Sequence, residues 1–209
     1  KGLLHKQRKE VEQAAEAFAL SEQWFEGVED NQYKALLYNH YGMLMNSQSN
    51  YEEALIYLKK SYWFKLKGDS IHYVMSACGA IANVYRKLGL SDSAKLYFEK
   101  GLEYEGKVSL YRYSLFKQNY ANFLRRNGEY DKAERMLLEC EQYITDENKY
   151  SLYSSLATLY YETEEYGKAL LYAEKVIESE DSVVVRGGLL NLYRIHRQLG
   201  HANESQSFH

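Results

Sequence analysis

The sequence predicts an all-α fold, a solenoid of antiparallel helix pairs, on three observations. Alanines recur as Ala14, Ala54, Ala94, Ala133 and Ala169, at successive intervals of 40, 40, 39 and 36 residues. Twelve residues before each stands a small residue: Gly2, Gly42, Ala82, Ala121 and Ala157. Around both columns apolar residues return at helical spacing. A register held over five copies marks a repeat protein, in which each copy buries the apolar face of its neighbour.

Each copy reads as helix, break, helix. The first helices carry Tyr41-Gly42-Met43-Leu44, Ile81-Ala82-Asn83-Val84-Tyr85, Tyr120-Ala121-Asn122-Phe123-Leu124 and Leu156-Ala157-Thr158-Leu159-Tyr160. The breaks fall at Ser47–Asn50, Leu88–Ser91, Asn127–Glu129 and Thr163–Glu165. Gly89 and Gly128 suit the left-handed conformation that closes a helix. Asn50, with Glu53 three residues on, and Ser91, ahead of Asp92, are expected to cap the helices that follow. The second helices place Phe18, Leu58, Phe98, Leu137 and Ala173 four residues after the column alanines. The small columns mark where the two helices of a pair cross closely. Tyr85, Tyr130 and Tyr160 are expected in the seams, with Trp24, Trp63 and Phe64 closing seams between repeats.

These columns resemble the tetratricopeptide repeat. Its W-x2-L-G-x2-Y…A-x3-F…A pattern is matched by Ile81-Ala82…Tyr85…Ala94…Phe98 and by Leu156-Ala157…Tyr160…Ala169…Ala173. The leading tryptophan is replaced, by Cys78 and Tyr153 in two repeats, and proline is absent throughout. The period of 36–40 exceeds the family's, which is about 34. Sel1-like repeats match less well, lacking their extra glycines here. The resemblance implies a right-handed superhelix over residues 1–209. It divides into a partial repeat 1–30, full repeats at about 31–69, 70–107, 108–147 and 148–181, and a partial repeat 182–209. Gly2 is expected inside a first helix whose beginning is missing. Gly200 is expected to break the last repeat, with a second helix from Ala202 onward. Both ends read as cut, so a longer natural chain is expected.

Composition narrows the function. A net charge of −3, with 45% hydrophobic and 26% charged residues, fits an ordinary folded chain and gives no uniformly basic surface. No run reaches the roughly 20 apolar residues of a membrane span. Cys78 and Cys140, in different repeats, read as buried free thiols. The histidines, His5, His40, His72, His196, His201 and His209, show no ligand spacing, so no metal and no cofactor is expected. No phosphate loop, His-Glu-x-x-His or Gly-x-Ser-x-Gly occurs, so binding is expected rather than catalysis.

In the repeats that this chain resembles, the first helices line a concave groove. Residues one and four or five places after each crossing residue belong to it: Met43, Asn46 and Ser47; Asn83, Arg86 and Lys87; Asn122, Arg125 and Arg126; Thr158, Tyr161 and Glu162; then Arg194, Arg197 and Gln198. Three places before the crossing lie Asn39, Gly79, Gln118 and Ser154. Amides can donate to and accept from a peptide backbone, and arginine can grip a carboxylate with two hydrogen bonds. The candidate groove is therefore Asn39, Asn83, Arg86, Lys87, Gln118, Asn122, Arg125, Arg126, Tyr161, Arg194 and Arg197. A second reading stands beside it. Cations in the last turn of a helix are favoured by its dipole alone, by ~0.3–1 kcal/mol each.

The expected partner is a protein or an extended acidic peptide. Nucleic acid is the alternative in a helical groove, disfavoured by the acidic balance and the lack of aromatics alternating with the cations; a small-molecule sensor is the other. Long, proline-poor, tyrosine-rich repeats with linkers such as Lys67-Gly68-Asp69-Ser70 resemble the sensor regions of membrane-anchored bacterial regulators and kinases. That resemblance implies a periplasmic array, with no membrane contact of its own, beside a flanking anchor. The sequence says nothing of oligomeric state.

Overall fold

The computed structural model of the chain describes residues 2–25, 27–28, 30–68, 71–143, 145–146 and 148–206. Asp69 and Ser70 of the linker, and the side chains of His5, His72, His201 and His209, lie outside the described residues. Within them the fold is all-α, with no strand. The helices are α1 Gly2–Trp24, α2 Asn31–Ser47, α3 Tyr51–Lys67, α4 Ile71–Lys87, α5 Ser91–Leu102, α6 Leu110–Arg126, α7 Tyr130–Cys140, α8 Lys149–Glu162, α9 Tyr166–Ile177 and α10 Ser182–Gln206. A single 3-10 turn, Glu141–Tyr143, follows α7.

The chain forms two compact units, residues 1–108 and 109–209. In unit 1, α2 pairs with α3 and α4 with α5; α1 packs on α2, and α3 on α4. Its core gathers Met45, Ala54, Leu58, Ile81 and Val84, ringed by Tyr41, Tyr51, Tyr62, Tyr85 and Tyr97. In unit 2, α6 pairs with α7 and α8 with α9, and α10 packs on both α9 and α8. Leu124, Leu137, Leu152, Leu156, Leu159, Val176 and Ile195 are fully buried there.

One turn closes every pair. The second residue after the first helix takes positive φ: Ser49 at 64°, Gly89 at 73°, Gly128 at 78° and Glu164 at 62°. The next residue's N–H reaches back five residues, Asn50 to Met45 O, Leu90 to Tyr85 O, Glu129 to Leu124 O and Glu165 to Tyr160 O, at 2.8–3.0 Å. This is the hydrogen bond of a Schellman closure, which satisfies carbonyls orphaned at the helix end. The carbonyl of that same residue then accepts from the column alanine, Ala54, Ala94, Ala133 or Ala169, at 2.9–3.0 Å. Turn and second helix are thereby joined without a spacer, which is why the interval of twelve never varies.

The crossing columns are buried as the spacing predicts. Ala54, Ala82, Ala94, Ala121, Ala133, Ala157 and Ala169 are wholly inaccessible. A second crossing lies two turns away, where Ser61 Oγ donates to Ala35 O at 2.7 Å and Cys140 Sγ contacts Ser114 O at 3.8 Å. Both cysteines are buried free thiols.

Several expectations are corrected. Residues 2–24 form one helix, so no break separates Gly2 from Ala14. Residues 182–206 are likewise one helix through Gly200. Glycine permits a helix end without compelling one, and Gly200 keeps helical backbone rather than the positive φ of Gly89 and Gly128. The expected caps differ too. Asn50 makes no side-chain cap hydrogen bond, and Ser91 is the first residue of α5, preceded by Leu90, which has none to offer. Side-chain caps stand instead ahead of first helices: Asp30 Oδ1 accepts from Gln32 N and Tyr33 N at 3.0 Å, and Ser109 Oγ from Arg112 N at 3.4 Å. The backbone closure already organises the second helices, whereas α2 and α6 follow open joints and carry their own caps; Asn148, ahead of α8, makes no side-chain cap hydrogen bond. Trp24 is 81% exposed and Trp63 48%, so neither is sealed in a seam. Tyr130 is exposed as well, at 36%, while Tyr160 is buried and stacks on Tyr172 at 5.7 Å.

Candidate functional site

The candidate residues of unit 1 lie on α2 and α4. Asn39 is half-buried; its Oδ1 accepts from Lys65 Nζ at 3.4 Å. Asn83 Oδ1 accepts from Arg86 Nε on the next turn, also at 3.4 Å. Lys87, exposed at the end of α4, donates to Asn46 Oδ1 of α2 at 2.8 Å and lies over the Tyr51 ring. The polar residues of two successive first helices are therefore within hydrogen-bond reach of one another.

Unit 2 repeats the arrangement on α6, α8 and α10. Asn122 Nδ2 donates to Ser155 Oγ of α8 at 3.0 Å. Arg125 pairs with Glu162 of α8. Tyr161 accepts from Gln198 Nε2 of α10 at 3.4 Å. Arg126, Arg194 and Arg197 are exposed. A cavity of about 880 Å³ opens beside Ser151, Ser154 and Asp181, at the opposite, N-terminal ends of α8 and α10. Asp146, Glu178 and Glu180 also line it beside Lys149, so its rim is mainly acidic, whereas the last turn of α6 carries Arg125 and Arg126.

Two candidates are not surface groups. Gln118 is only 2% exposed, with Nε2 donating to Ser114 Oγ at 3.2 Å. Arg125 is 8% exposed and its charge is matched by Glu162. They stand seven residues apart, two turns of α6, and so share the flank that packs within the unit. Gln118 Oε1 and Arg125 Nε have no hydrogen-bond partner among the described residues.

The residue missed by sequence reasoning is Lys65. It lies at the end of α3, 9% exposed, against a cavity of about 300 Å³ shared with Asn39. A signal for it existed. Ala54, Leu58, Ser61 and Lys65 recur at the spacing of a buried helical stripe, and all four are buried. Lysine in such a stripe is uncommon.

The comparisons agree with this architecture. Residues 76–107 match the tetratricopeptide repeat family. No curated protein matches the sequence. Solved structures do. BtubC from P. vanneervenii superposes with a TM-score of 0.78 at 14% identity, over 96% of this chain and 87% of that one. A putative kinesin light chain of Podospora anserina with nearly identical tetratricopeptide-like repeats gives 0.67 at 15%, over 84% and 92%. NprR gives 0.58 at 18%, over 90% of this chain and 58% of its own. Likeness at such identities is one of fold. Residues 76–107 are a tetratricopeptide repeat, and the chain is a helical-repeat protein of the tetratricopeptide-like fold.

Proposed function

We propose that the chain is a protein-binding scaffold whose first-helix faces hold an extended peptide with acidic groups. What carries this reading is the polar stripe crossing neighbouring first helices inside each unit, from Lys87 to Asn46 in unit 1 and from Asn122 to Ser155 in unit 2. A stripe of this kind crosses helices as an extended strand would, and offers amides for a main chain and cations for carboxylates. Asn83 and Asn122 hold the backbone; Arg86, Lys87, Arg126, Arg194 and Arg197 meet acidic side chains. Asn39 and Tyr161 border the path. Gln118 and Arg125 lie beneath it and shape its floor. NprR, similar in fold, has been solved in complex with its cognate peptide NprX, which supports the same use of the fold here. In this reading the array is a sensory module within a larger signalling or transcription-regulating protein.

The test is selection from a random peptide library on wild-type protein. The expected outcome is enrichment of acidic sequences whose binding weakens at least about tenfold in Asn83→Ala/Arg86→Glu or in Asn122→Ala/Arg126→Glu, the loss of one or two charge-assisted hydrogen bonds. Equal binding by wild type and both folded variants would leave the cations as helix-end charges and sink the proposal.

A further inference from the structure

We propose that the cavity between α2, the end of α3 and the start of α4 is a pocket for a carboxylate carried on an apolar body, with the Lys65 ammonium as counter-ion. The pocket encloses about 300 Å³ and lies wholly within unit 1. That volume is at the lower end of small-ligand sites. Leu36, Phe64 and Tyr73 supply apolar wall; Asn39 and Ser76 supply polar groups beside the ammonium.

The argument rests on a comparison within the chain. Three cations are buried among the described residues: Lys65, Lys117 and Arg125. Lys117 Nζ lies 2.5 Å from Glu139, and Arg125 pairs with Glu162. Lys65 has no carboxylate partner among the described residues. Its one hydrogen bond among the described residues is the long 3.4 Å contact to Asn39 Oδ1, although an ammonium carries three donors.

The described groups around it do not cancel the charge. Asp30 is turned to the backbone, accepting from Gln32 N and Tyr33 N. Burial pushes the Cys78 thiol up to about 11, so it stays neutral and supplies no anion. Burial also holds the Lys65 ammonium below the ordinary lysine range. A buried, unbalanced cation is costly, and an entering carboxylate removes that cost while its apolar body fills the walls. A neutral ligand of the same shape cannot do the first of these.

The proposal goes beyond the peptide reading and shares only Asn39 with it. Its test uses N-acetylphenylalanine and N-acetylphenylalaninamide, which differ in one charge, titrated calorimetrically into wild-type protein. The acid is expected to bind more tightly than the amide by at least about tenfold, the scale of one charge-assisted contact. Lys65→Met is expected to lose that preference and to melt at a higher temperature. Three further probes separate the sources of the carboxylate: N-acetyl-triglycyl-phenylalanine, its C-terminal amide, and an amidated peptide of the same length with an internal glutamate. A preference confined to the free acid assigns a small-molecule ligand; preference for the free C-terminus or for the glutamate assigns a peptide. Equal affinity for acid and amide, absence of binding by every probe, or a preference retained in Lys65→Met overturns the proposal. Asn83→Ala/Arg86→Glu, which tests the peptide path, should leave the acid's affinity unchanged, so the two readings fail independently.

Discussion

Gly42 and Leu58 meet at the closest crossing of α2 and α3: a Cβ on Gly42 would lie 2.8 Å from Leu58 Cγ and 3.1 Å from Leu58 N. The second contact is with backbone, which cannot rotate away. Alanine gains ~1 kcal/mol of helix propensity over glycine. Overpacking nonetheless costs about 1–3 kcal/mol. Gly42→Ala is therefore expected to destabilise unit 1 in urea unfolding. Neighbours in α10 supply the control. A Cβ on Gly188 would come within 2.9 Å of Val176 and Ile177, whereas one on Gly187 meets nothing within 4 Å. Gly187→Ala should stabilise and Gly188→Ala destabilise; the same sign for both would refute the crossing geometry.

Ser49 and Glu164 adopt the conformation that Gly89 and Gly128 adopt at equivalent turns. A side chain there costs roughly 1–2 kcal/mol, of which glycine's extra chain entropy returns about half. Ser49→Gly and Glu164→Gly should each raise stability by ~0.5–1 kcal/mol in thermal melts. Gly89→Ala and Gly128→Ala should lower it by at least as much.

The Arg125–Glu162 pair is asymmetric, since the Arg125 side chain is 9% exposed and that of Glu162 35%. Removing the carboxylate strands a buried guanidinium, whereas removing the guanidinium leaves a carboxylate that water can reach. Glu162→Gln is expected to cost about 1–3 kcal/mol, after allowance for the exposed partner, and Arg125→Met under about 1 kcal/mol. Chemical denaturation of the two variants decides it, and the reverse order would show that the pair is not desolvated.

Alkaline pH should unfold the chain early. Burial, reinforced by the hydrogen bond to Glu22, pushes Tyr38 up to about 12. Burial does the same for Tyr62, and burial with Glu141 for Tyr172. Tyr160, buried and donating to Glu134 at 2.8 Å, is raised further. An unfolded tyrosine loses its proton near 10, so these groups contribute stability that is complete below pH 10 and lost as pH rises to about 12. Lys65 acts oppositely, because its pKa is lowered: the cost of burying its charge is relieved as pH rises toward 10.5. Urea midpoints followed with phenolate absorbance should fall across that window. Constant midpoints would remove the tyrosines from the account.

How much of this was legible depends on how directly a contact constrains residue type. The Gly42, Ala82, Ala121 and Ala157 column was readable because two backbones approach there and only small residues fit. The turns at Gly89 and Gly128 were readable for the same reason, but those at Ser49 and Glu164 were hidden, since the backbone imposes the conformation on residues that do not advertise it. The continuity of α1 and α10 was not visible, because glycine permits a helix end without requiring one. The polar stripe was found as a column, yet its pairings, Lys87 with Asn46 or Arg125 with Glu162, join residues 41 and 37 positions apart. Lys65 escaped because the groove was read from the first helices alone, and Lys65 lies on the second helix α3.

The repeated turn has a consequence for how this chain tolerates change in length. From each crossing residue to its column alanine the count is always twelve, while the joints between hairpins differ: Leu102 to Leu110 and Cys140 to Lys149 are long, Lys67 to Ile71 and Ile177 to Ser182 short. The variation in the 36–40 period arises between each column alanine and the next crossing residue, where α3 has 17 residues and α7 has 11 and the joints also differ. Differences in length are thereby kept out of the twelve-residue span that carries the turn, and the boundary between the two compact units falls within one joint, at Val108–Ser109. The turn with the crossing it closes is the invariant part of each copy, and the far ends of the helices and the joints are where the chain varies in length.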